Sequence, residues 1–482
     1  MSSKELTLLQ MNDSHGYLNL HEELFFAGNQ EQIYRRAGGH GRIAALLKEA
    51  RQERPGQVLA FDCGDTIHGT YPVVQTEGEA VLPILNAMGF DAWTAHWEFA
   101  YGPERLMEVT EALNYPLLAI NCYDKESDEL IFDPYVVKEA GGLRVGVIGI
   151  AATIVDKVMP AWFSEGIYLT LGDEELPGYI ETLRQDEQVD LVVLVSHLGY
   201  PQEVKLARRV EGVDVLLSGH THNRLYRPTL VNDTLIIQSG CHGSFLGRLD
   251  LEVEDGNVVD FHHRLIVVDE DLEPDPEVQA LVEEALAPHR ELLNEVVGRT
   301  ETPLNRNRVL EATMDNLLLQ SMLDVTGTQL AFSNGWRYGA PVTPGEVTMQ
   351  DLWHIIPVNP PISTCRLTGD ELRTMMEENL ERTFAADPWE QMGGYVKRCM
   401  GLTMYFKIEN PPGERIEHLF VGDERVKPDD LFDACFVTAQ GVPAKYGSRR
   451  QKTGVKAIEG LKEYIKKQGT VSAELRGTVV AI

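Results

Sequence analysis

The chain has 482 residues, 43% of them hydrophobic and 24% charged, enough for two or three packed domains. Its 74 acidic against 43 basic side chains leave a formal charge of −31, which repels nucleic-acid backbones and anionic membranes and argues against either as a partner. An anionic small molecule would have to be drawn in locally, by metal ions or a few arginines. The six cysteines (63, 122, 241, 365, 399 and 435) have no CxxC spacing and read as reduced, mostly buried thiols. The opening MSSKELTLLQMND has no basic stretch leading into a long apolar run, and no apolar run reaches about 18 residues. As written the chain is expected in the cytoplasm, although a trimmed exported protein would read the same way.

Short β-branched apolar runs dominate the first half: Leu6 to Met11, Gln57 to Asp62, Phe90 to Ala95, YPLLAIN, LRVGVIGI, DLVVLVSH and VDVLLSGH. They read as strands, with helical patterns such as GGHGRIAALLKEARQE and EVKLARRV between several of them. TLIIQSG and FLGRLDLEVED follow with few helical interruptions and suggest antiparallel strands. The expected architecture is α/β, a layered α/β/β/α domain over residues 1–268. Residues 269–299 form an expected interdomain helical linker, in which Val278, Leu281, Val282, Ala285 and Leu286 keep helical spacing until Pro288 interrupts it. From 300 to 482 a smaller α+β domain follows, with helices in MDNLLLQSMLDVTG, GDELRTMMEENLERTF and VKAIEGLKEYIKKQG.

The chemistry-bearing residues of the first domain share one context: each lies just past an apolar run. QMNDSHG carries Asp13 and His15, AFDCGD carries Asp62 and Asp65, TAHWEF carries His96, LVSHLG carries His197, and LSGHTH carries His220 and His222. Loops at the carboxyl ends of strands converge on one edge of such a sheet, so five distant segments aim Asp and His at one point. Imidazole and carboxylate donors together suit Mn, Zn, Fe or Co, and a carboxylate can bridge two ions. Two such ions would bind an oxyanion and activate water for attack.

The order NDSHG, DCGD, HWEF, SHLG, GHTH resembles the calcineurin-like metallophosphoesterases, and the longer match is to the bacterial 5′-nucleotidase family. It runs on through TLIIQSGCHGSFLGRLDL, EATMDNLLLQSMLD, FSNGWRYG, GEVTMQDLWHIIPVNP and RLTGDELRTMMEENL. The resemblance implies a dimetal hydrolase of phosphate esters, acting on a small anionic substrate such as a nucleotide, with two divalent ions, manganese foremost. It implies Asp13, His15 and His222 on one ion, Asp65 as the bridge, and His197 and His220 on the other. His96 stands where the family has an asparagine ligand. The family's next histidine, which assists the leaving group, is Trp97 here, and the aspartate that orients it is Ala100. No catalytic side chain is therefore assigned; His68 and His242 are possible substitutes.

The His-Trp-Glu-Phe variant also resembles the dimanganese thiosulfohydrolases, whose substrate sits on a carrier-protein cysteine. That branch gives an alternative reading, hydrolysis of a sulfur-linked ester with a carrier protein as partner. A weakly catalytic ligand-binding relative is the third. For the second domain the resemblance implies Asn334 and Arg337 as anion contacts and Trp389 and Tyr395 as a base clamp. Trp336 is expected to narrow that pocket. Asn359, Tyr446 and the cluster Lys445, Arg449 and Arg450 are weaker candidates.

Overall fold

The structure is a computed structural model that describes residues 3–482. The chain divides into two compact units, one of residues up to Glu23 with Arg36–Pro288, the other of Leu24–Arg35 with His289–Ile482. A contiguous reading of the sequence misses the short excursion 24–35, because hairpin strands carry the same alternation whichever unit they join.

Two large sheets frame the first unit, with a small two-stranded one of Cys122–Asp124 and Ile167–Leu169 beside them. One has the spatial order Asn257–Val267, Phe245–Glu254, Lys4–Met11, Val58–Asp62, Ala92–Trp93. The other runs Thr229–Val231, Thr234–Ile237, Val215–Ser218, Leu191–Ser196, Leu143–Ile150, Tyr135–Ala140. The strands that lead into the candidate residues are mutually parallel within each sheet, whereas Phe245–Glu254 and Asn257–Val267 are antiparallel neighbours. Leu6, Leu8, Leu59 and Phe61 of the first sheet share one buried cluster with Val145, Val193, Val215 and Leu235 of the second. Strand side chains alternate between faces, so Leu9, Met11 and Ala60 point the other way and bury against Ile43, Leu47 and Leu85 of the helices His40–Glu53 and Leu82–Met88. The outer face of the second sheet covers itself with Ile180, Leu183 and Leu206 of Leu176–Gln185 and Tyr200–Arg209. The result is the four-layer α/β/β/α arrangement.

Inside the sandwich Gln10 is fully buried; its amide donates to Ser218 O at 2.8 Å and accepts from Ser239 Oγ at 2.7 Å, pinning the two sheets together near the site edge. Two expected strands shrink. Phe90–Ala95 keeps only Ala92–Trp93, and the YPLLAIN segment pairs through isolated bridges such as Trp93 with Leu117. Ala92–Trp93 is bonded on both sides, to Val58–Asp62 and through the bridge to Leu117, while Leu118 bridges on to Asp133. Pro276 starts a helix, Pro276–Leu286, whose N–H groups Asp275 caps. Its Val278 and Val282 bury in the first unit's core, and the division between the units falls after Pro288, inside the stretch 269–299 read as a linker.

The second unit carries a five-stranded sheet ordered Arg398–Met400, Leu330–Ser333, Leu431–Phe436, Pro361–Thr368, Ser448–Lys456, with a four-stranded and a three-stranded sheet beside it. The helix Gly369–Phe384 opens on a capping box between Thr368 and Glu371 and packs Leu372, Met376 and Leu380 onto the sheet. No helix among the described residues is long and apolar enough to cross a membrane.

Candidate metal centre

The carboxyl ends of both sheets of the first unit deliver the seven candidate side chains to one place. Two groups result: Asp13, His15, Asp65 and His222, and Asp65, His96, His197 and His220, each with its ligand atoms within 4.8 Å of one another. Asp65 belongs to both. Its carboxylate lies 3.1 Å from His96 Nδ1, 3.2 Å from His197 Nε2 and 3.6 Å from His15 Nε2. Asp13 lies 3.1 Å from His222 Nε2 and accepts the backbone N–H of His220 at 3.0 Å.

Backbone conformation does much of the aiming. Asp13, His15, Asp65, His220 and His222 all have positive φ, between 48° and 70°. Each such residue costs on the order of 1–3 kcal/mol and persists only where its surroundings over-determine it. Here the loops lock one another: Asp13 N–H donates to Gly64 O at 2.9 Å and His15 N–H to Asp65 O at 2.7 Å. Gly64 itself (φ 85°) leaves no room for a Cβ, which would fall 2.6 Å from Thr94 O.

The electrostatics favour cations. Burial opposes charge on His197 and His222, yet Asp65 and Asp13 hold His197 up at about 10, and Cys241 and Asp13 hold His222 at about 9. Burial would raise Asp65, but His96, His197 and His15 keep it well below the carboxylate range. His15 Nε2 and His222 Nε2 approach to 3.2 Å, a spacing that needs a shared proton or a shared cation. His96 Nε2 is buried with no hydrogen-bond partner. His197 Nδ1–H donates to Cys63 O, which fixes the ring and presents Nε2, as expected of a ligating imidazole. Two carboxylates and five imidazoles fit a pair of borderline divalent ions.

One essential-looking residue escaped the sequence reading. Glu98 is fully buried and accepts the backbone N–H groups of His96 (2.7 Å), Asp65 (3.3 Å), Thr66 (2.6 Å) and Ile67 (3.3 Å), tying two ligand loops together. A lone acid amid the apolar HWEFAY was the available signal. Asp62, by contrast, turns away from the ligand groups: its Oδ1 accepts from Gly64 N–H and Thr66 Oγ1.

Trp97 and Ala100 fall on the turn Trp97–Tyr101, a 3₁₀ helix, in which residues three apart lie on one face. That face carries no acid. The Trp97 ring stacks on His68 at 4.8 Å and meets Phe163 edge-on, while its backbone N–H donates to Asp65 at 2.8 Å. Burial lowers His68 to about 4.

In the second unit Arg337 packs against Gly394, where a Cβ would collide with the guanidinium, and beside Tyr395. Arg398 sits over the Tyr395 ring at 5.6 Å. Asn334 accepts from Thr438 Oγ1 at 2.7 Å. Trp389 is half-buried on the short turn Pro388–Glu390. Trp336 is buried under the guanidinium of Arg306, so it serves the core rather than a pocket wall. Asn359 accepts from Ile458 N–H at 3.0 Å at the start of a helix, and Tyr446 belongs to the core. Lys445 pairs with Glu378 at 2.6 Å, and Arg450 donates to the carbonyls of Val442, Pro443 and Tyr446, so these two cations are engaged within the second unit.

Residues 296–438 match the 5′-nucleotidase C-terminal domain family. The solved structure of the sulfate thiohydrolase SoxB from Thermus thermophilus is 26% identical, covers 100% of this chain and 97% of its own, and superposes with a TM-score of 0.92. A 5′-nucleotidase precursor, also from Thermus thermophilus, gives 23% identity, 99% coverage of each chain and a TM-score of 0.87, a likeness of fold. The trifunctional nucleotide phosphoesterase YfkN of Bacillus subtilis is 24% identical over 98% of this chain, which spans 35% of the YfkN length.

Proposed function

We propose that this relative of the 5′-nucleotidases and of the SoxB thiohydrolase is a dimetal-dependent hydrolase of phosphate esters, with nucleotides as its substrate class. The observation that carries the reading is the pair of Asp/His groups that share Asp65. Two bound divalent ions, which we take to be manganese, would supply Lewis-acid charge and an activated water. Asp65 would hold both ions, Asp13, His15 and His222 would complete one site, and His96, His197 and His220 the other. Glu98 keeps the His96 and Asp65 loops in register through its four backbone hydrogen bonds. Asn334, Arg337, Trp389 and Tyr395 are the substrate contacts of the second unit, with the Arg337 guanidinium suited to bidentate binding of an anion. Nucleic-acid polymers and membranes are no part of this reading, given the charge of −31. Six free thiols support a reducing compartment, the cytoplasm.

Trp97 in place of the family histidine favours a second reading. Without a side-chain acid a good leaving group such as a thiolate is the easier one to expel, which suits a sulfur-linked ester on a carrier protein. A manganese-reconstituted screen of nucleoside monophosphates, an activated aryl phosphate and a sulfonated thiol, with Asp65→Asn as control, separates the two. Turnover of nucleotides abolished by Asp65→Asn supports the first. Turnover of the sulfonated thiol alone supports the second, and turnover of nothing on the panel sinks both.

A further inference from the structure

Aromatic rings lead outward from the shared carboxylate to the surface of the first unit. The Trp97 backbone N–H donates to Asp65 Oδ1 at 2.8 Å, which seats that residue directly against the candidate centre. Its half-buried indole lies on the His68 ring, with centroids 4.8 Å apart and planes 22° from parallel. It meets Phe163 edge-on at 5.8 Å, and Phe163, 4% exposed, meets Trp162 edge-on at 5.6 Å. Edge-to-face contacts at such separations are a preferred geometry of aromatic pairs, so each ring fixes the tilt of the next. Of the two histidines considered as substitute acids, His68 is the one in this run; His242 pairs with Glu23 at 3.0 Å.

The outer ring, Trp162, is 58% exposed. One exposed indole by itself needs no explanation, but this one ends a continuous run and is held in place. Its Nε1–H donates to Ala100 O at 3.3 Å, on the same short turn, Trp97–Tyr101, that carries the inner indole. That bond fixes one edge of the ring while most of its surface stays in water, which pre-organises a flat apolar face. An ester whose anionic group is held at the Asp/His groups must point its alcohol part away from them, and the way past Trp97 is lined by these rings. Their surface offers a planar group a place to stack and offers a second anion nothing.

We propose that Trp162 is a specificity-determining residue, the outer wall of a subsite in the first unit that binds a planar aromatic ring on the alcohol part of the ester, with Trp97 lining the path to it. The inference rests on the dimetal reading above and deepens it. The ring it takes is either a nucleoside's base or a simple aryl group, which share the flat π-face that an indole recognises. Trp162 stands two ring-to-ring contacts beyond the residue that touches Asp65, so its contribution is to binding and belongs in KM.

The test compares esters with and without the ring on the manganese-loaded, full-length protein: AMP against ribose 5-phosphate, and phenyl phosphate against glycerol 3-phosphate. Trp162→Ala should lower the ratio of kcat/KM values, ring-bearing over ring-free, by about 5- to 150-fold in at least one pair, through KM, and Trp162→Phe should recover most of it. The pair that responds tells a base from an aryl group. A second readout needs no turnover: saturation-transfer NMR of adenosine and of phenol with the metal-stripped protein should show ring signals that Trp162→Ala removes. Ratios unchanged in both pairs, or a loss seen only in Trp389→Ala, would overturn the inference and leave the dimetal reading standing. If the parent hydrolyses none of the four esters, that reading fails and the NMR decides the subsite alone: ring signals removed by Trp162→Ala support it, and a parent without ring signals overturns it.

Discussion

Removing the Glu98 carboxylate is the sharpest test of how the candidate centre is assembled. Glu98 is fully buried, and each of its oxygens accepts two backbone N–H groups, the shorter bonds being 2.6 Å from Thr66 and 2.7 Å from His96. A hydrogen bond to a charged acceptor contributes about 1.5–3 kcal/mol, and an orphaned buried donor costs about 1–3 kcal/mol. The two bonds at 3.3 Å contribute less. Burial and the neighbouring Asp65 charge raise the Glu98 carboxyl's pKa, so part of the gain is already offset. With water entering the cavity, Glu98→Ala should cost about 3–5 kcal/mol, which for a unit of this size lowers Tm by about 6–20 °C. Glu98→Gln keeps one acceptor and should lose about half as much. Differential scanning calorimetry reads the stability, and manganese titration reads the site, where the ion served by His96 should bind more weakly. A Glu98→Ala protein that melts within about 2 °C of the parent and binds both ions equally would refute the argument that this carboxylate holds the loops.

Three further outcomes are expected. Burial raises Glu203 from 4.5 to about 7; a raised carboxyl binds its proton more tightly in the folded state, so its stabilisation is full below pH 4.5 and is lost as pH rises through about 7, a span worth about 3 kcal/mol. Glu203→Gln should therefore melt above the parent at pH 8 and level with it near pH 5, and a constant gap across that range would contradict the assignment. Asp315 is buried between Arg306 (3.0 Å) and Arg398 (3.0 Å), so Asp315→Ala should strip about 3–5 kcal/mol from the second unit by leaving guanidinium charge unpaired; an unshifted melting profile would argue against it. Restoring the missing dyad with Trp97→His and Ala100→Asp together should speed hydrolysis of alkyl phosphates by about 10- to 100-fold while changing aryl phosphates little, and equal effects on both would mean the acid is supplied elsewhere.

The strand runs and their terminal Asp and His residues were legible in the chain itself, because a strand's side chains alternate and its carboxyl end is where the apolar pattern stops. His15, His197 and His222 could be nominated on that ground alone. The same reading named Asp62 beside Asp65, and only packing separated them: Asp65 turns through a left-handed backbone into the cluster, while Asp62 stays with Gly64 and Thr66. Trp336 was readable as a break in a glycine run but not as core, since burial under Arg306 comes from a distant part of the chain. What the sequence by itself determined is local, namely which segments are extended, where they end, and which side chains carry donor atoms. Asp65's place between three imidazoles, the four-donor cradle around Glu98 and the pairing of Glu23 with His242 were decided by tertiary structure, because each joins segments far apart in the chain, and no periodicity records which distant loops will share a carboxylate.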